Sequence, residues 1–116
     1  SCMVLPDPGF HDGLRALATR HGALLIIDET HTISSGLGGY SRVHGLRPDI
    51  FVVGKCVAGG MPAAVWGLNP ATADRYLEVN ANRPSGRSGM GTTLSANPMQ
   101  SACLVATLTE VMTPRN

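Results

Sequence analysis

A chain of 116 residues has room for one domain or part of one, and its low charge content, 15% against a usual ~25%, together with 14 Gly and 8 Pro describes a segment that belongs inside something larger. A net charge of +1 with no run of basic residues excludes an electrostatic footprint for nucleic acid or an anionic membrane. No apolar stretch approaches the roughly 20 residues that a membrane span requires, and 43% hydrophobic residues argue against intrinsic disorder.

The first predicted element is a helix over residues 10 to 20. Phe10, Leu14, Leu17 and Ala18 fall on one face, Asp12, Arg15 and Arg20 on the other, and Gly22 supplies the stop. Residues 23 to 27, Ala-Leu-Leu-Ile-Ile, are too few for a helix and end in β-branched residues, so they read as a buried parallel strand whose carboxyl end carries Asp28. Residues 34 to 48 form a long loop punctuated by Gly36, Gly38, Gly39, Gly45 and Pro48, with a short helical turn near Tyr40 to His44. Residues 49 to 53 make a second buried strand, followed at once by Gly54 and Lys55, and residues 63 to 68 a third. Pro70 opens a helix to about Val79, residues 80 to 92 are loop, and Asn97 caps a helix running through Met112, whose apolar stripe of Leu104, Val105, Leu108, Val111 and Met112 is read as core. Helices alternating with buried strands define an α/β layered architecture, in which ligands gather at the carboxyl ends of strands. Asp28 and Lys55 stand at two such ends.

The cysteines, Cys2, Cys56 and Cys103, are odd in number and far apart, which fits no disulfide framework or zinc site and points to a reducing, cytoplasmic setting. Cys56 reads as a small buried hydrophobe. His11, His21 and His44 have no ligand-like spacing.

Two chemistries compete for the segment Asp28-Glu29-Thr30-His31. An apolar strand ending in Asp-Glu-x-His matches the acidic box of a helicase-type NTPase, but the phosphate loop that must accompany it is not met: Gly54-Lys55 is followed by Cys56 and lies downstream. The second chemistry starts from Lys55, the only lysine among nine basic residues. A partly desolvated amine is held in its neutral, nucleophilic form and can make a Schiff base with an aldehyde. Asp28, on a neighbouring strand end, can hold a pyridinium N–H by a charge-assisted hydrogen bond. An aspartate and a lysine so placed suit pyridoxal phosphate.

The residues that support this second chemistry also carry a family resemblance. Asp28-Glu29-Thr30-His31-Thr32, Pro48-Asp49-Ile50 leading to Gly54-Lys55 and Gly59-Gly60-Met61-Pro62, and Gly91-Thr92-Thr93-Leu94-Ser95-Ala96-Asn97-Pro98 resemble, in order and spacing, the class III pyridoxal-phosphate-dependent aminotransferases, particularly their glutamate-1-semialdehyde aminomutase-like branch. The resemblance covers nearly the whole chain. It implies part of a fold-type I large domain, with a mixed, mostly parallel sheet flanked by helices, and with an upstream segment and a C-terminal small domain outside residues 1 to 116. Lys55 matches the lysine that bonds the cofactor and shuttles protons, and Asp28 the aspartate paired with the pyridine nitrogen. Thr30 matches a position, usually Val, that packs on the ring. His31 falls beside the cofactor's 3′ oxygen, where many members have Gln or Met, and its role is open. Thr93 matches the threonine that binds the cofactor phosphate of the neighbouring subunit, which implies a homodimer. The implied reaction moves an amino group between an amino donor and a keto acid or aldehyde, or within one molecule in an aminomutase, and the same Lys and Asp serve both. Arg87 is the loop candidate for substrate recognition. Taken alone, the piece is expected to be inactive and to associate through exposed strand edges and apolar faces.

Overall fold

The computed structural model describes residues 4–84 and 91–115, which leaves Cys2 and Arg87 outside the described residues. Helix α1, Phe10–Arg20, starts after Gly9, which takes a left-handed conformation (φ 82°). Asp12 in its first turn and Arg20 in its last complement the helix dipole. The predicted stop is made as the sequence suggests: Gly22 takes φ 62°, its N–H reaches the Thr19 carbonyl, and the Ala23 N–H reaches the Ala18 carbonyl at 2.9 Å.

Three strands form one sheet in the order β1 (Ile26–Asp28), β2 (Ile50–Gly54), β3 (Ala64–Leu68). β1 runs parallel to β2, with Ile26 opposite Ile50 and Asp28 opposite Val52. β3 runs antiparallel to β2, with Gly54 opposite Ala64. The sheet is therefore mixed, one pairing of each kind. β1 lies later than residues 23 to 27 because the entry to the pair is built differently: the Leu25 carbonyl receives both the Asp49 and Ile50 N–H groups, and the Leu25 N–H goes to the Asp49 carboxylate. The Glu29 N–H continues the pairing to the Val52 carbonyl at 2.8 Å.

Helix α2, Gly39–Val43, is the short turn expected in the long loop. Helix α3, Pro70–Ala81, is capped by Asn69, whose side chain accepts the Thr72 N–H at 2.8 Å. Helix α4, Pro98–Ala106, is capped by Asn97 through the Met99 N–H. It does not run regularly to Met112. From Thr107 to Val111 it widens into a π-helical turn closed by the Met112 N–H on the Thr107 carbonyl, while the Thr109 hydroxyl donates to the Val105 carbonyl at 2.8 Å. Thr107 is thereby buried close to Gly59, where a Cβ would lie 3.0 Å from its hydroxyl.

The strands and helix stripes read as buried are only partly so. Val53, Val57, Ala58 and Ala18 are buried, but Ile26, Trp66, Leu17, Val105 and Val111 are exposed. Cys56 is exposed as well, contrary to its reading as a buried hydrophobe. The accessible surface, 8715 Å², exceeds the roughly 6000 Å² that scaling gives for a self-contained 12 kDa fold. Apolar faces of the sheet and of α4 thus stay exposed among the described residues.

Candidate active site

Parallel pairing in register brings the ends of β1 and β2 to the same edge of the sheet, and those ends with the turns that leave them carry four of the five predicted site residues. Asp28 closes β1. Its Oδ1 accepts the Thr30 N–H at 2.8 Å, which turns the chain back sharply. The Thr30 hydroxyl lies beside Gly54, 3.5 Å from where a Cβ there would stand. The Thr30 hydroxyl and N–H hold the Asp28 carboxyl below its ordinary value, with smaller help from the charges of Lys55 and His31 and against a small desolvation penalty. Asp28 is therefore an exposed carboxylate that stays ionised.

Lys55 follows Gly54 directly at the end of β2 and opens a 3-10 turn, Lys55–Ala58. Its backbone is left-handed, φ 53°, a conformation that costs a residue with a Cβ about 1 kcal/mol. The side chain reaches toward the β1 turn, where Nζ lies 2.7 Å from His31 Nε2. An amine, an ionised carboxylate and an imidazole thus share one sheet edge.

Thr93 stands apart from this group. It is exposed in the turn before α4, a turn closed by the Thr92 N–H on the Ser95 hydroxyl at 2.8 Å and anchored near β3 by the Gln100 amide on the Pro62 carbonyl. The described contacts do not join it to Asp28 or Lys55.

Two residues that position the site were missed in the sequence. Glu29 is wholly buried. Its Oε2 accepts the Tyr40 N–H at 2.7 Å and its Oε1 the Ser41 N–H at 2.5 Å, with the Thr32 hydroxyl at 3.4 Å. This carboxylate pins the glycine-rich loop to the end of β1. The signal was strand alternation: the residue after Asp28 faces the opposite side, and the paired Gly38-Gly39 marks the backbone that meets it. The same burial removes the NTPase reading of Asp28-Glu29-Thr30-His31, because both Glu29 oxygens are committed to backbone N–H groups beneath the loop.

Asp49 is the second missed residue. Its carboxylate accepts the Leu25 N–H (2.7 Å), Arg15 Nη1 (2.7 Å) and the Asn69 amide (2.9 Å), so one side chain joins α1, β1, β2 and the cap of α3. The Leu25 N–H first, then Arg15, holds its carboxyl below the ordinary value.

With this geometry in hand, the chain belongs to the class-III aminotransferase family, whose model matches residues 1–115. It is 42% identical over 113 residues to a glutamate-1-semialdehyde 2,1-aminomutase of Roseiflexus castenholzii, covering 97% of this chain and 25% of the relative. Among solved structures, a glutamate-1-semialdehyde aminomutase from Pseudomonas aeruginosa PAO1 superposes with a TM-score of 0.87 at 53% identity, covering 97% of this chain and 26% of that one. A lysine-to-alanine variant of that enzyme, solved in complex with PMP, matches equally well, with a TM-score of 0.87 at 52% identity and the same coverage. A β-phenylalanine aminotransferase from Variovorax paradoxus superposes with a TM-score of 0.75 at 30% identity, covering 94% of this chain and 24% of that one. The chain thus spans about a quarter of the length of the relatives it matches. Among the described residues no helix is long and apolar enough to cross a membrane.

Proposed function

We propose that these 116 residues are part of the pyridoxal-phosphate-binding large domain of a longer enzyme, which moves an amino group between an amino donor and a keto acid or aldehyde with Lys55 as its reactive amine. The observation that carries the reading is the placement of Lys55 and the ionised Asp28 on adjacent strand ends, an amine to bond an aldehyde and a carboxylate to hold a ring N–H. The donor set therefore fits the cofactor. When bound, pyridoxal phosphate supplies the aldehyde and an electron-withdrawing ring.

The chain's own residues divide the remaining work. Lys55 is the nucleophile and, when its amine is free, the base that takes a proton from the substrate carbon and returns it. Asp28 keeps a proton at the ring nitrogen. Thr30 and His31 flank the cofactor, and Thr93 serves the phosphate of a neighbouring subunit in a homodimer. The exposed position of Thr93 away from Lys55 and the uncovered apolar faces support that assembly. The free Cys56 and Cys103 suit a cytoplasmic enzyme.

A second reading, an aminomutase of the glutamate-1-semialdehyde type, is favoured by the names of the relatives. It uses the same Lys and Asp and differs in returning the amino group to the same substrate skeleton.

The test is borohydride reduction of the full-length protein treated with pyridoxal phosphate, followed by peptide mass mapping. A phosphopyridoxyl group on Lys55, absent from Lys55→Ala, is the expected result, and a folded protein without that adduct would refute the reading. Isomerisation of an amino aldehyde with no added keto acid would select the aminomutase.

A further inference from the structure

The contact between Lys55 Nζ and His31 Nε2, 2.7 Å, is not used by the reading of Lys55 as the reactive amine, on which the following step rests. A hydrogen bond between an amine and an imidazole needs one proton between the two nitrogens. Either an ammonium N–H points at the imidazole lone pair, or an imidazolium N–H points at the amine lone pair. With both groups protonated, two cationic donors face each other and neither has an acceptor.

We propose that His31 is the proton partner of Lys55, taking at Nε2 the proton that the Lys55 ammonium must lose to become a nucleophile and returning it afterwards. The exchange balances within the pair: Lys55–NH3⁺ and neutral His31 become Lys55–NH2 and the His31 imidazolium, with no other reactant. Its geometry follows from the fold. The two residues leave the carboxyl ends of parallel, in-register strands, and the left-handed backbone of Lys55 belongs to the turn that sends its side chain toward the β1 turn. Asp28, at the end of β1, interacts electrostatically with both. The Thr30 hydroxyl and N–H keep that carboxylate ionised, so its charge is constant while the pair titrates. Cys56, next in the chain, is exposed and is replaced by Ser in the test.

Two groups that share a proton titrate as a coupled pair. On this proposal a proton on His31 Nε2, 2.7 Å from Lys55 Nζ, repels one on the amine and so favours its neutral form. The experiment is reductive methylation of the full-length, cofactor-free Cys56→Ser protein with formaldehyde and cyanoborohydride across about pH 5 to 9, with the Lys55 peptide quantified by mass spectrometry. The expected logarithm of the rate rises with pH but is interrupted by a shoulder within that range, where the pair exchanges its shared proton. His31→Gln keeps a hydrogen-bond acceptor but cannot take a proton. It should give a straight profile that is about tenfold slower at the acidic end and equal to the parent at the basic end. His31→Ala should also lack the shoulder, and because His31 is exposed neither change removes core packing. Straight, superimposable profiles, or a shoulder that survives in His31→Gln, would overturn the proposal while borohydride trapping at Lys55 still stood. Failure to trap Lys55 would instead remove the reading on which it rests.

Discussion

Gly39 lies so close to Glu29 that a Cβ built on it would stand 2.3 Å from the Glu29 Oε2. The glycine also holds φ +77°, so two independent requirements exclude a side chain. In the full-length protein, Gly39→Ala should cost about 2–4 kcal/mol, the backbone penalty plus disturbance of a buried carboxylate. Gly45→Ala is the control. Its φ is +64° but no atom lies within 4 Å of the added Cβ, so only the backbone cost of about 1 kcal/mol is expected. Urea midpoints of the two variants measure the difference, and equal losses would mean that the Glu29 contact contributes nothing.

Removing the carboxylate tests the same joint from the other side. Glu29→Ala leaves the Tyr40 and Ser41 N–H groups without their acceptor, at a cost of about 2–4 kcal/mol. Glu29→Gln keeps the shape but turns an amide NH2 toward one of those N–H groups. It should fall between the parent and Glu29→Ala in thermal denaturation.

Asp49 gives stability a sign with pH. Its carboxyl is held below the ordinary value in the folded chain, so its contribution is fully present above the unfolded value near 3.8 and is lost as pH falls through the lower folded value. A contribution of about 1–3 kcal/mol is expected from hydrogen bonds to a charged acceptor. Denaturant titrations below about pH 4 should show the parent losing this increment and Asp49→Asn, already without it, following a flatter curve.

Asp28 should matter for chemistry more than for folding, because it is exposed and, among the described residues, its hydrogen bond goes to its own turn. Asp28→Asn in the full-length enzyme should leave the denaturation midpoint nearly unchanged and lower kcat by about 10- to 100-fold, the loss of one charge-assisted hydrogen bond. Steady-state rates at saturating cofactor test it. An unaltered kcat would deny Asp28 its place at the ring nitrogen.

Much of this was legible in one dimension. Gly22 as a helix stop, Asn69 and Asn97 as caps before Pro70 and Pro98, and an apolar run ending in Asp28 are local signals, because capping and strand length depend on residues within a few positions. A single lysine placed after a strand and a glycine made Lys55 conspicuous without any neighbour being known.

What the chain alone could not show depended on contacts between distant positions. That Glu29 points away from Asp28 into a buried nest of N–H groups, that Asp49 joins α1, β1, β2 and α3, and that His31 meets Lys55 across two strands each required residues 11 to 34 apart to be brought together. The reverse holds for burial. The stripes of α1 and α4 and the faces of β1 and β3 are apolar in sequence, yet they remain largely exposed, because periodicity specifies which side a residue faces and only the packed tertiary structure decides whether anything covers it.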